Sequence, residues 1–179
     1  QWGTRKNLQN TIKWFLDEFR DKEVGLVVKT NFSKNSTPDR EDCIDRLSVL
    51  LENEEKTKCS VYLLHGEMSN EEINQIYKHP KIKAIISTTH GEGFGLPLLE
   101  AAHHDCPVIA SDIPAFRELE VPGIYYTSLD EDNVVDLFEH LAHVLPNEIQ
   151  TSTQTKPKFK DIYNWDKTAA LYLGLLKSM

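Results

Sequence analysis

Apolar residues recur along this chain with two alternating periods. Leu8, Ile12, Phe15, Leu16 and Phe19 stand three or four positions apart, which predicts an amphipathic helix over 8–20. Residues 24–30 are a short apolar run of strand length, and the polar stretch NFSKNSTPD at 31–39 reads as a loop without core residues. Ile44, Leu47, Leu50 and Leu51 predict a second helix within 40–53, and residues 60–64 a second strand, ended by His65 and Gly66. Ser69 with Glu72 three places on is a capping-box start for a helix carrying Ile73, Ile76 and Tyr77. Pro80 stops that helix, because proline disfavours helical backbone at the residue before it.

The densest local signals lie in 82–111. An apolar, β-branched run at 82–87 predicts a buried strand. The turn His90-Gly91-Glu92-Gly93-Phe94-Gly95 follows, its three glycines permitting positive φ and close backbone approach. A helix over 96–104 then carries Pro97 in its first turn, where a missing N–H is harmless, and residues 107–111 form another buried strand. Strand, glycine turn and helix N-terminus make an anion cradle, since free backbone N–H groups and the helix dipole point the same way. Glu92 and Glu100 bracket the cradle with seven residues between them.

Beyond the cradle, 114–119 predicts a short helical turn and 123–126 the last of five strands. A helix opens at Asp130 with Val134, Leu137, Phe138 and Leu141 on one face. Residues 146–160 are a polar, proline-containing linker or strap, and 162–179 a C-terminal helical segment with Ala169, Leu173 and Leu176. Strands alternating with helices imply a single α/β, doubly wound domain with a mainly parallel sheet, spanning 1–179.

Composition narrows the chemistry. A net charge of −8 argues against a nucleic-acid partner gripped by a general basic field, but leaves room for a local basic pocket. No apolar run reaches the length of a membrane span. Cys43, Cys59 and Cys106 lack metal-ligand spacing and leave one cysteine unpaired, which fits a reducing, cytoplasmic setting, with peripheral membrane association compatible. The pairs His103-His104 and His140/His143 lack a third ligand at motif spacing, so a metal site is not expected. Arg5 and Lys6 stand at a helix start, where cations oppose the dipole, so their presence points to another task. Lys29 ends a strand on the side where open α/β sheets bind ligands, and His90 immediately precedes the glycine turn.

The run Glu-Gly-Phe-Gly-Leu-Pro-Leu-Leu-Glu-Ala at 92–101, with strands on both sides, resembles the Glu-seven-residues-Glu signature of retaining GT-B glycosyltransferases, the glycosyl transferases group 1 family. The resemblance covers nearly the whole chain. It implies the Rossmann-like C-terminal, donor-binding half of a GT-B fold, facing an N-terminal domain that carries the acceptor site. It also implies a nucleoside diphosphate sugar as donor, transfer with retention of configuration, and no metal or other cofactor. By the same resemblance Glu92 lies beside the transferred sugar as the catalytic residue, and Glu100 accepts from the ribose. Gly93, Phe94, Gly95 and Leu96 would offer backbone N–H groups to donor oxygens, and Arg5 and Lys6 would take the diphosphate, with Lys29 and His90 at the pocket.

Two departures stand out. The family pattern has an arginine where Gln1 stands, which leaves Arg5 as the substitute charge, and Asp105-Cys106-Pro107 replaces a usual glycine. In the family a strand ending in glycine precedes the loop that here begins at Gln1. Such a strand is expected between the runs at 24–29 and 82–87, and residues 1–179 without it are expected to be unstable or to aggregate through the open edges. The rival readings are a non-catalytic α/β module that binds a nucleotide or partner, a sugar-nucleotide epimerase, and a phosphorylase of the same fold. The epimerase lacks the Glu-Gly-Phe-Gly context, and the phosphorylase needs a cofactor lysine that the sequence does not identify.

Overall fold

The computed structural model describes residues 2–52 and 56–119, with the backbone of 124–127, all within one compact unit, Gln1–Asn147. The helix expected from Asp130, the strap at 146–160 and the segment 162–179 lie outside the described residues.

A 3₁₀ turn, Thr4–Lys6, leads into helix α1, Leu8–Phe19, whose apolar stripe buries Ile12, Trp14, Phe15, Leu16 and Phe19. At about 1.5–3 kcal/mol for each large apolar side chain removed from water, this stripe is a main anchor of the core. Strand β1, Gly25–Lys29, runs parallel to β2, Ser60–Leu64, in the register Gly25↔Ser60 to Lys29↔Leu64. Helix α3, Asn70–Lys78, carries the expected capping box: Ser69 accepts from the Glu72 N–H while the Glu72 carboxylate accepts from the Ser69 N–H. Strand β3, Ile85–Ser87, is shorter than the apolar run predicts, because the Ile82 N–H turns back to the His79 carbonyl at 2.9 Å. Helix α4, Leu96–His103, follows, then strand β4, Val108–Ser111, the short helix α5, Pro114–Arg117, and strand β5, Ile124–Thr127.

Among the described residues the strand pairs are all parallel, as alternation with helices requires. Among the described residues they form two sheets, β1-β2 and β3-β4-β5, so β1 and β3, the expected borders of a central slot, share no ladder. Every residue of β4 is buried, the continuous apolar pattern of a strand covered on both faces.

Two local expectations change. Helix α2, Thr37–Leu51, begins three residues before 40, because Ser36 caps it and Pro38 sits in its first turn. The stretch 31–39 is therefore not a loop without core residues. Asp39 is buried and its carboxylate gathers that loop: Oδ1 accepts from the N–H groups of Ser33 (2.8 Å) and Lys34 (3.3 Å). Oδ2 accepts from the Phe32 N–H (3.0 Å) and lies 2.8 Å from His65 Nε2. Burial pushes the Asp39 carboxyl up, but the His65 bond and the three amide bonds outweigh it and hold it well below the usual aspartate value. Of the three glycines in the 90–95 turn, Gly95 alone takes left-handed backbone, φ 86°; Gly91 and Gly93 do not. A Cβ on Gly95 would also lie 2.7 Å from Cε1 of the fully buried Phe116.

Gly95→Ala is expected to lower stability by about 1–3 kcal/mol, through left-handed strain and overpacking together, read as a lowered unfolding midpoint in urea. Asp39→Asn should change the acid limb. A depressed carboxyl stabilises the fold above its unfolded value of 3.8, and that contribution is lost progressively as the pH falls below it toward the folded value. Thermal unfolding between pH 6 and about 2 should therefore fall less steeply in Asp39→Asn than in the parent, from a lower starting point at neutral pH.

Candidate functional site

The site forms at the carboxyl ends of the strands, where open α/β sheets bind ligands. Beyond β3, Thr88 and Thr89 are buried and fix the loop. The Thr88 hydroxyl meets that of Thr11 on α1, and the Thr89 carbonyl accepts from Ser111 Oγ at the end of β4 at 2.6 Å. The same loop grips the first turn of the chain: the Arg5 carbonyl accepts from the His90 N–H at 2.8 Å and shares the Thr89 hydroxyl hydrogen with the Gly91 carbonyl, each carbonyl 2.9 Å from that hydroxyl. These two bonds set the 3₁₀ turn directly over the glycine turn.

The side chains then converge. Arg5 Nη1 donates to the Gly91 carbonyl at 2.5 Å and lies 3.6 Å from Glu92 Oε2. Lys6 Nζ donates to the same carboxylate oxygen, and the Gly93 N–H donates to Glu92 Oε1 at 3.1 Å. The Lys6 hydrogen bond holds the Glu92 carboxyl below its usual 4.5; burial pushes the other way, and the Gly93 amide and the charges of Lys6 and Arg5 reinforce the lowering. Glu92 is thus an ionised, largely covered carboxylate at the centre of a basic cluster, its side chain 21% exposed.

Gly95 caps α4 without a side chain; its carbonyl accepts from the Leu98 N–H at 3.0 Å and Pro97 has no N–H, so the Leu96 N–H is the first-turn donor without an intrahelical acceptor. Phe94 and Leu96 expose 49% and 58% of their surface, so both are rim residues rather than core ones. Glu100, one turn further along α4, is exposed and accepts from the Tyr77 hydroxyl of α3 at 3.2 Å. Burial first, and the Glu100 charge second, push the Tyr77 hydroxyl up, so it stays a proton donor to that carboxylate. The Tyr77 ring stacks on His104, whose Nε2 lies 2.9 Å from Asn74 Oδ1.

Arg5, Lys6, Glu92 and Gly93 are therefore brought into direct contact. Lys29 and Glu100 make no hydrogen bond or ion pair with that group: Lys29 Nζ donates to the Gly66 carbonyl at 2.6 Å, across the ends of β1 and β2. His90 joins through its backbone, with its side chain exposed. Sequence reasoning passes over Tyr77, Thr89, Asp39 and His65. Tyr77 and Glu100 are 23 residues apart on different helices, so no spacing rule links them. Ligand atoms of Asp39, Cys43 and His65 lie within 4.8 Å of one another, a cation-sized group. Both Asp39 oxygens are already taken by hydrogen bonds, and burial followed by the charges of Asp39 and Asp42 pushes the Cys43 thiol up, away from the thiolate a metal needs. The group is a rivet for the loop after β1.

Comparison with known proteins supplies the family. Serotype-specific mannosyltransferase WbdA of Escherichia coli is 35% identical over 85 residues, 48% of this chain and 10% of that protein. O-antigen chain mannosyltransferase RfbU of Salmonella typhimurium is 39% identical over 75 residues, 42% of this chain and 20% of that protein. The matched stretch is thus a tenth to a fifth of these relatives' length. Sucrose-phosphate synthase from Thermosynechococcus elongatus superimposes with a TM-score of 0.71 at 15% identity, over 99% of this chain and 44% of that one. The C-terminal domain of LpcC, a glycosyl transferase group 1 family protein from Francisella tularensis, gives 0.59 at 20% identity, over 79% and 71%. At these identities the two structures speak for the fold, the Rossmann-like α/β domain of GT-B enzymes. The family model for glycosyl transferases group 1 matches residues 45–160, and the chain belongs to that family as a GT-B glycosyltransferase domain.

Proposed function

We propose that this domain binds the donor of a retaining glycosyltransferase, a nucleoside diphosphate sugar, and that the sugar is mannose. The observation that carries the reading is the convergence of Arg5, Lys6 and the glycine turn on one point at the carboxyl ends of the strands. A diphosphate is the ligand chemistry that uses cations, turn amides and a helix N-terminus together. Mannose is favoured by WbdA and RfbU, whose names describe mannosyltransferases.

In this reading the anomeric carbon–oxygen bond to the diphosphate breaks, and the electron pair leaves with the diphosphate oxygen. Lys6, Arg5 and the N–H groups of the glycine turn and Leu96 stabilise that charge, a case of electrostatic preorganisation. An acceptor hydroxyl attacks from the same face, passing its proton to the departing diphosphate oxygen as the new bond forms. Glu92 contacts the sugar hydroxyls and is the catalytic residue; Glu100 accepts from the ribose, with Tyr77 as the positioning residue that aims it. Gly93, Phe94, Gly95 and Leu96 act through backbone N–H groups, while Lys29 and His90 line the rim. The acceptor is bound by an N-terminal GT-B domain, and no metal takes part in this scheme. The setting proposed is the cytoplasm or its membrane face.

Calorimetry of the full-length protein with UDP, GDP and ADP tests the reading: at least one should bind, and binding of none sinks it. Glu92→Gln should lower turnover steeply without weakening the bare nucleotide. Glu100→Ala should show the reverse, weakening the nucleotide by about 1–3 kcal/mol, the scale of a lost hydrogen bond to a charged group. Equal effects of both substitutions on nucleotide affinity would show the two roles to be misassigned.

A further inference from the structure

Glu92 already holds, within this chain, the groups that a donor diphosphate would take. Its Oε2 accepts from Lys6 and faces Arg5 at 3.6 Å, and its Oε1 accepts from the Gly93 N–H of the glycine turn at 3.1 Å. The carboxylate is an internal anion seated on a basic pair and a backbone N–H. The backbone beneath is fastened: the Arg5 carbonyl takes two hydrogen bonds from the loop after β3, and the Arg5 guanidinium donates to Gly91. The 3₁₀ turn is therefore not the part that yields. The Lys6 side chain is, being 32% exposed, with a flexible four-carbon stem that lets the ammonium re-aim.

We propose that Glu92 competes with the donor's diphosphate for Lys6, Arg5 and the Gly93 N–H, so that the site favours the intact sugar nucleotide over the bare nucleoside diphosphate. The proposal rests on the reading of Glu92 and Lys6 given above. An intact donor takes Lys6 with its diphosphate and offers the freed carboxylate sugar hydroxyls to accept from. Both ends of the exchange are then satisfied. A nucleoside diphosphate without its sugar takes the cations and offers Glu92 nothing, leaving a covered carboxylate beside a second anion. Such unmatched charge is what binding sites discriminate against. The same imbalance arises after transfer, when the glycosyl unit has left with the acceptor. Glu92 then regains Lys6, and the nucleoside diphosphate is loosened.

The test is calorimetry on the full-length protein, using whichever of UDP, GDP and ADP binds the parent, and its mannose conjugate. Glu92→Gln keeps the shape of the side chain and removes the competing charge. It should tighten the bare nucleoside diphosphate roughly two- to fivefold, the scale of one partly exposed ion pair, and should not tighten the mannose conjugate. In a Lys6→Met background most of that gain should vanish. Unchanged or weaker binding of the bare nucleotide in Glu92→Gln overturns the proposal, as does equal tightening of both ligands or an undiminished gain without Lys6. If the parent binds none of the three nucleotides, the donor-domain reading fails and takes this one with it. If the parent binds and the substitution does not tighten, the competition alone fails.

Discussion

The Arg5 carbonyl accepts two hydrogen bonds from the loop after β3, and the geometry of the site follows from that tie. It joins segments 84 and more residues apart and sets two cations over a glycine turn. The loop is a firm support because it is held from behind. Ser111, fully buried at the end of β4, donates to the Thr89 carbonyl, and the Thr89 hydroxyl in turn donates to Arg5. Polar groups that are buried must be hydrogen-bonded, so these threonines and this serine have few other arrangements open to them. Rigidity is thus passed from the buried strand β4 to the basic pair through two short side chains, those of Ser111 and Thr89.

The second constraint is steric. Gly95 begins α4 with left-handed backbone packed against the ring of Phe116. That contact sets where the helix starts and therefore where the Leu96 N–H points. Gly93 contributes differently: with no left-handed φ and open space where a Cβ would stand, its part in the present structure is an N–H held by Glu92. The three glycines look alike in the sequence, yet backbone strain explains only one of them.

The ends of β1 and β2 are held by a separate polar network. Asp39 closes the loop after β1 by accepting three backbone amides and His65, and Lys29 crosses to the Gly66 carbonyl. Because both Asp39 oxygens are saturated, the network is spent on shaping the rim. Tyr77 has a comparable part on the other flank, where one hydroxyl aims the exposed Glu100.

Much of this was legible in the residues. Period and punctuation locate α1, α3 with its capping box, β2 at 60–64 and the strand–turn–helix–strand unit around Glu92, because each rests on neighbours a few positions apart. The Glu-Gly-Phe-Gly run, the proline and Glu100 likewise pointed to the family by local order alone. Tertiary structure decided the rest. It determined that Glu92 pairs with Lys6, 86 residues away, that Tyr77 rather than a basic residue meets Glu100, and that Asp39 is buried rather than lying on an exposed loop. These outcomes depend on which elements lie side by side once the strands align, and a carboxylate's partners are chosen by distance in space. Periodicity carries no record of that distance; the parallel alignment of the strands supplies it.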